Sequence, residues 1–167
     1  EDLKKSYEAL KQAHLADPES AQLLVMLLQL ALANNEQNAA FEYSLKLSEV
    51  APEGNAELIR RLGASLVGQA GQGQAEGISR AVRLYEHAAK SPKINKQSAF
   101  YVFLMKELGK LYVVSQRLPD AVPCYEIVFD AIQNYEKYGL NSRERRELSS
   151  DTAVSPEKLA EVFLEAG

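Results

Sequence analysis

The residues with most scope for chemistry are two histidines, one cysteine, a glycine-rich stretch and a few basic side chains, and their spacing limits each of them. Gly71-x-Gly73 begins like a phosphate-cradling loop. The dinucleotide fingerprint needs glycine at position 76, where glutamate stands, and no Gly-Lys-Ser/Thr follows. A flexible connector accounts for the stretch. His14 and His87 each fall near the end of a helical pattern, where a helix C-terminus favours a partly cationic imidazole. Asp17 lies three residues after His14, but one such pair does not make a metal site. Cys124 is the only cysteine. It therefore lacks a disulfide partner, a thiolate ligand set and, with both histidines remote in the chain, a base. The pattern predicts no catalytic, cofactor-binding or metal-ligating residues and no cofactor.

Bulk composition narrows the class further. With 46% hydrophobic and 25% charged residues the chain falls among folded globular proteins, not disordered ones. Alanine, leucine, glutamate, lysine and glutamine dominate, and all of them favour helices. A net charge of −4 argues against a nucleic-acid partner, because phosphate binding needs clustered Lys and Arg. The run Arg143-Glu-Arg-Arg146 is offset by Glu144 and Glu147, and reads as a solvated helix face. Eight tyrosines are expected to pack in the core with the hydroxyl at its rim, rather than to form a base-stacking platform. The longest apolar run, Leu23 to Leu28, is too short to span a bilayer. Because the chain opens on Glu1 and not on methionine, it is expected to be a processed chain or an excised piece, and the compartment stays open.

The elements that carry these residues repeat. Pro18 and Pro52 each close an apolar helical pattern, and they stand one repeat length of about 34 residues apart. Ala40 with Ser44, Ala81 with Tyr85 and Ala121 with Tyr125 each place a small residue and a residue four positions later on one helical face. Between them lie helices of a second kind: Leu62-Gly63 with Leu66, Leu108-Gly109 with Tyr112, and Leu159-Ala160 with Phe163. Glycine within a helix costs roughly 1 kcal/mol against alanine, so Gly63 and Gly109 are expected to serve close helix approach.

This alternation is similar to the tetratricopeptide repeat. The family's first-helix positions fall on Leu27, Leu28 and Ala31, then on Leu62, Gly63 and Leu66, then on Leu108, Gly109 and Tyr112. Its second-helix small residue falls on Ala40, Ala81 and Ala121. The chain departs from the pattern at Leu28, a small-residue site, at Ser44, an aromatic one, and in lacking a closing proline after the fourth pattern. The resemblance implies an all-α, right-handed α-solenoid of antiparallel helix hairpins, with about eight helices. Residues 1–18 would be a lone second helix. Residues 21–54, 56–95 and 102–135 would be repeats, 136–152 an insertion with a short helix over Arg143 to Leu148, and 153–167 a lone first helix. That last helix, capped by Ser155 before Pro156, would be either a terminal cap or the cut end of a longer array. Residues 68–77 are expected to be a connector inside one hairpin.

Such a fold implies a protein–protein interaction scaffold that takes a peptide or partner helix in a concave groove lined by first-type helices. Arg60 and Lys106 occupy matching places in successive repeats, so the resemblance sets them side by side. Lys110 lies one turn beyond Lys106, and Arg61 and Gln29 complete the expected groove. A cationic groove suits an acidic peptide or a C-terminal carboxylate. Family members that clamp such a carboxylate use asparagines where Gln29 and Ala64 stand here. The alternative is a purely structural segment packing against other domains of a larger polypeptide.

Overall fold

The computed structural model describes residues 2–68, 74–151 and 156–166, with side chains described for 4–68, 74–151 and 160–165. Among them there are nine α-helices and no strand. They divide into two units, Glu1–Ile94 and Asn95–Gly167.

The first unit holds α1 (Asp2–Ala16), α2 (Ala21–Ala33), α3 (Gln37–Val50), α4 (Ala56–Val67) and α5 (Gln74–Lys90). Ser20 starts α2, its hydroxyl accepting from the Leu23 amide at 3.4 Å, and so satisfies one amide that no helical carbonyl can reach. Between α2 and α3 only residues 34–36 intervene, and Asn35 takes a left-handed φ of 59°. The Glu36 amide then reaches back to the Ala31 carbonyl at 2.8 Å, which closes the helix end and reverses the chain. A core of Leu24, Leu28, Ala31, Ala40, Leu47 and Val50 forms between the two helices, and Leu58 and Leu62 of α4 pack on it. At the start of the unit, the Tyr7 hydroxyl of α1 donates to Glu36 at 2.8 Å. Its pKa is raised by burial first and then by that bond.

The second unit holds α6 (Ala99–Val114), α7 (Leu118–Gln133), α8 (Ser142–Ser150) and α9 (Pro156–Ala166). Ser98 caps α6 as Ser20 caps α2, accepting from the Tyr101 amide at 3.1 Å. The turn from α6 to α7 repeats the one from α2 to α3. Gln116 is left-handed at φ 57°, and the Arg117 amide reaches the Tyr112 carbonyl at 2.8 Å. A 3-10 turn, Tyr135–Tyr138, follows α7 and ends on Gly139 at φ 66°, a conformation glycine adopts without steric cost. The expected short helix in the polar stretch is α8. Asn141 and Glu144 open it with reciprocal side-chain-to-amide bonds of 2.8–2.9 Å.

Two boundaries and the number of helices among the described residues differ from the sequence reading. The helix of the third repeat begins at Ala99, three residues before the expected start at 102, because the Ser98 hydroxyl supplies the cap. The connector expected over 68–77 is shorter: α5 is already formed at Gln74 and buries Gly77. Residues 69–73 and the expected cap Ser155 lie outside the described residues. Nine helices replace about eight, since α8 is a full element in the stretch taken as an insertion.

Candidate functional site

Gly63 and Gly109 show what the repeated pattern does physically. A Cβ on Gly63 would overlap the hydroxyl and Cζ of Tyr85, the aromatic of the following helix. A Cβ on Gly109 would stand 3.0 Å from two ring atoms of Tyr125. In both hairpins a tyrosine ring therefore lies on the bare backbone of the preceding helix, and both rings are 2% exposed. The hairpin of α2 and α3 reverses the volumes, with Leu28 in the glycine place and Ser44 in the tyrosine place. Ser44 is buried, and its hydroxyl is spent on the Phe41 carbonyl at 2.7 Å.

Beside that reversed pair the first unit keeps a cavity of about 230 Å3. Its lining includes Leu28 and Leu32 of α2, Gln37, Phe41 and Ser44 of α3, Ser65 and Leu66 of α4, and Arg80 of α5. Leu32 is half exposed. The Arg80 guanidinium donates to Glu76 at 2.7 Å and to Asn38 at 3.1 Å, and lies 5.4 Å from the centre of the Phe41 ring. Arg83 approaches the same ring at 5.2 Å. Cations over an aromatic face are attracted by its negative quadrupole, which helps to fix both guanidinium groups near Phe41.

The residues expected to line a basic groove divide between the units. Gln29 on α2 and Arg61 on α4 are exposed, and Arg60 is half-buried. Lys106 and Lys110 are both half-buried on α6, and they share carboxylates from within their own unit. Asp151, at the end of α8, stands 3.1 Å from Lys106 and 3.8 Å from Lys110. Glu107 stands 3.6 Å and 3.1 Å from the same two ammonium groups. The two lysines do come together as a stripe, and Asp151 and Glu107 answer its charge. Beneath it the Tyr125 hydroxyl is pushed up to about 12, by burial first and then by Asp151, Cys124 and Glu107. Arg60 and Lys106, expected as neighbours, belong to different units and are each described within their own.

The remaining reactive residues are placed as follows. Cys124 is buried, with its thiol 3.5 Å from the Asp120 carbonyl. His14 packs edge-on to Tyr43 with ring centres 6.1 Å apart, and its Nδ1 is buried without a hydrogen-bond partner among the described residues. No group of three or more metal-ligating side chains is found among the described residues. Tyr7, Tyr85, Tyr101, Tyr112, Tyr125 and Tyr138 are buried. No helix among the described residues is long and apolar enough to cross a membrane.

Comparison with protein-family models, curated proteins and solved structures returns no match. Sequence reasoning missed the cavity, although the signal was present: positions 28 and 44 are the two that break the glycine–aromatic pattern.

Proposed function

We propose that this chain is a tetratricopeptide-like, right-handed α-solenoid segment that holds a segment of a partner protein. The observation that carries the reading is the equivalence of successive helix pairs. Gly63 under Tyr85 and Gly109 under Tyr125 are the same interlock, and the turns at 34–36 and 115–117 have the same backbone hydrogen bonds. A chain built of equivalent pairs buries each apolar face against its neighbour, and what it offers to other molecules is an extended preformed surface. Binding to such a surface avoids much of the ordering cost that a flexible site would incur. In the first unit Gln29, Arg60 and Arg61, and in the second Lys106 and Lys110, are the side chains we assign to binding. With acidic Glu107 and Asp151 already beside the lysines, an incoming acidic segment would bind by exchanging carboxylates there.

The test is selection from a library of random twelve-residue peptides displayed on phage, using the whole chain as target. Acidic sequences are expected among those recovered, with affinities in the micromolar range, about −8 kcal/mol. The Arg60→Glu/Lys106→Glu variant is expected to weaken them. Recovery no better than on an unrelated helical protein would end the scaffold reading.

A second reading has its own support. On α9, Phe163 is 40% and Leu164 83% exposed. Apolar side chains left in water mark surfaces that another protein element covers, which favours a structural segment packed inside a larger assembly. Phe163→Ser/Leu164→Ser separates the two, since it should leave peptide binding intact and reduce only association through α9.

A further inference from the structure

The cavity beside Ser44 has the dimensions and surroundings of an anchor site. We infer that it takes one bulky apolar side chain, aromatic or leucine-sized, from a partner segment that carries carboxylates next to that side chain. This rests on the scaffold reading and names which part of the surface grips.

Its volume of about 230 Å3 exceeds the roughly 150 Å3 that suffices for a benzene ring. Leu28, Leu32, Phe41 and Leu66 supply an apolar wall, Gln37 and Ser65 add polar lining, and the Ser44 hydroxyl is committed to the Phe41 carbonyl. An apolar group set against the leucine and phenylalanine part of this wall gains affinity by displacing water that is poorly held there. The cavity also exists for a reason specific to this hairpin. Where the other two pairs seat a tyrosine against a glycine, this one has serine at the aromatic position and a leucine opposite, and the volumes do not close.

The charge beside the opening selects the flanking chemistry. Arg80 and Arg83 both lie over the Phe41 ring. Of the five N–H donors on a guanidinium, Arg80 uses one on Glu76 and one on Asn38. The others are what a ligand carboxylate would engage, and a charge-assisted bond there is stronger than a neutral one. Lysine-flanked segments would meet the like charge of Arg80 there.

The chain contains no tryptophan, so a tryptophan-bearing probe reports its own burial without background. Acetyl-Glu-Trp-Glu-amide, titrated with the whole chain, is expected to show a saturable blue shift of its emission. Acetyl-Lys-Trp-Lys-amide should bind about tenfold more weakly, a difference typical of one charged contact. Ser44→Met fills the cavity from within and should weaken the acidic probe by about tenfold or more. Leu32→Glu alters a half-exposed side chain at the wall, so it leaves the fold intact while setting a like charge against the probe. It should weaken binding to a similar degree, with the helical circular dichroism of both variants unchanged.

Failure of the wild-type chain to saturate with the acidic probe overturns the inference. So does equal binding by Ser44→Met and Leu32→Glu at unchanged helicity. If library-selected peptides bind but ignore both substitutions, the anchor site is wrong and the scaffold reading stands. If no selected peptide binds at all, both fall together.

Discussion

The hairpin of α2 and α3 and the hairpin of α4 and α5 belong to the same unit, yet they fill the glycine and tyrosine places of the repeat in opposite ways. In the second, Gly63 removes a side chain so that the Tyr85 ring can lie on the helix backbone. In the first, Leu28 projects and Ser44 retreats. Both are buried, but a cavity lies beside the first. A repeat can therefore exchange the volumes across an interface and still fold, at the expense of an incomplete fit. That incomplete fit is a structural fault in a core and an opportunity at a surface.

Removing the leucine should have the largest effect. Leu28 is 1% exposed, and Leu28→Ala would enlarge a space that already exists instead of letting the walls collapse. We expect a loss of about 3–4 kcal/mol, within the range for buried leucine truncations, read from the midpoint of urea unfolding. A loss under about 1 kcal/mol would mean that the cavity wall relaxes freely, and the contrast between the hairpins would lose its basis.

The glycines sharpen the same contrast. Gly63→Ala must displace the Tyr85 ring, which is 2% exposed and has no room to swing. Overpacking of this kind costs about 1–3 kcal/mol, against a gain of about 1 kcal/mol from alanine's helix propensity. A net loss of about 1–2 kcal/mol is expected. Gly109→Ala approaches Tyr125 at 3.0 Å, so a few tenths of an ångström suffices. The two terms nearly cancel there, and the change should stay within about 0.5 kcal/mol. Equal effects at the two glycines would show that the interlocks are not graded as the distances indicate.

Much of this was legible in the sequence, and the reasons are specific. The 3.6-residue spacing of apolar side chains located the helix pairs, because burial enforces that period in any helix with one covered face. The small–large alternation singled out Gly63 and Gly109 as points of close helix approach and Tyr85 and Tyr125 as the large residues of second-type helices, while their pairing came from the structure. Two things were not legible. Asp151 lies about 40 residues beyond the lysines it meets, and no local pattern ties the end of α8 to Lys106 and Lys110. The turn at Gln116 was hidden as well. Asn35 is a residue type that tolerates left-handed φ, whereas glutamine gives no such sign.

That hidden turn supplies the next comparison. Asn35 and Gln116 occupy the same place in two equivalent turns, at φ 59° and 57°. A left-handed conformation costs an ordinary residue about 1–2 kcal/mol, and asparagine less. Gln116→Gly removes that strain but enlarges the freedom of the unfolded chain. The balance should stabilise the protein by about 0.5–1 kcal/mol, while Asn35→Gly should change it by less than about half that. A thermal midpoint lowered by Gln116→Gly would show that the glutamine side chain contributes more than its backbone strain costs.

The smallest effect distinguishes how two second helices are secured at their exits. After α5, the Ser91 hydroxyl donates to the Glu49 carbonyl, a neutral contact. After α7, the Asp130 carboxylate accepts from the Tyr138 hydroxyl at 2.6 Å, Asn134 at 2.7 Å and Lys137 at 2.9 Å. These donors hold its pKa down to about 2 from an ordinary value of 3.8, with the Tyr138 bond contributing most. A folded-state value below the unfolded one means the stabilisation is fully present above pH 3.8 and is lost as the pH falls through about 2. Because Asp130 is a surface group, the effect is modest and screened by salt. In a comparison of the parent chain with Asp130→Asn, the gap between their thermal midpoints should be widest near neutral pH and close progressively toward pH 2. A Ser91→Ala variant should instead keep a constant offset over the same interval, since neither partner of its bond titrates. A gap for Asp130→Asn that ignored pH would show that the carboxylate's charge takes no part in holding the 3-10 turn against α7.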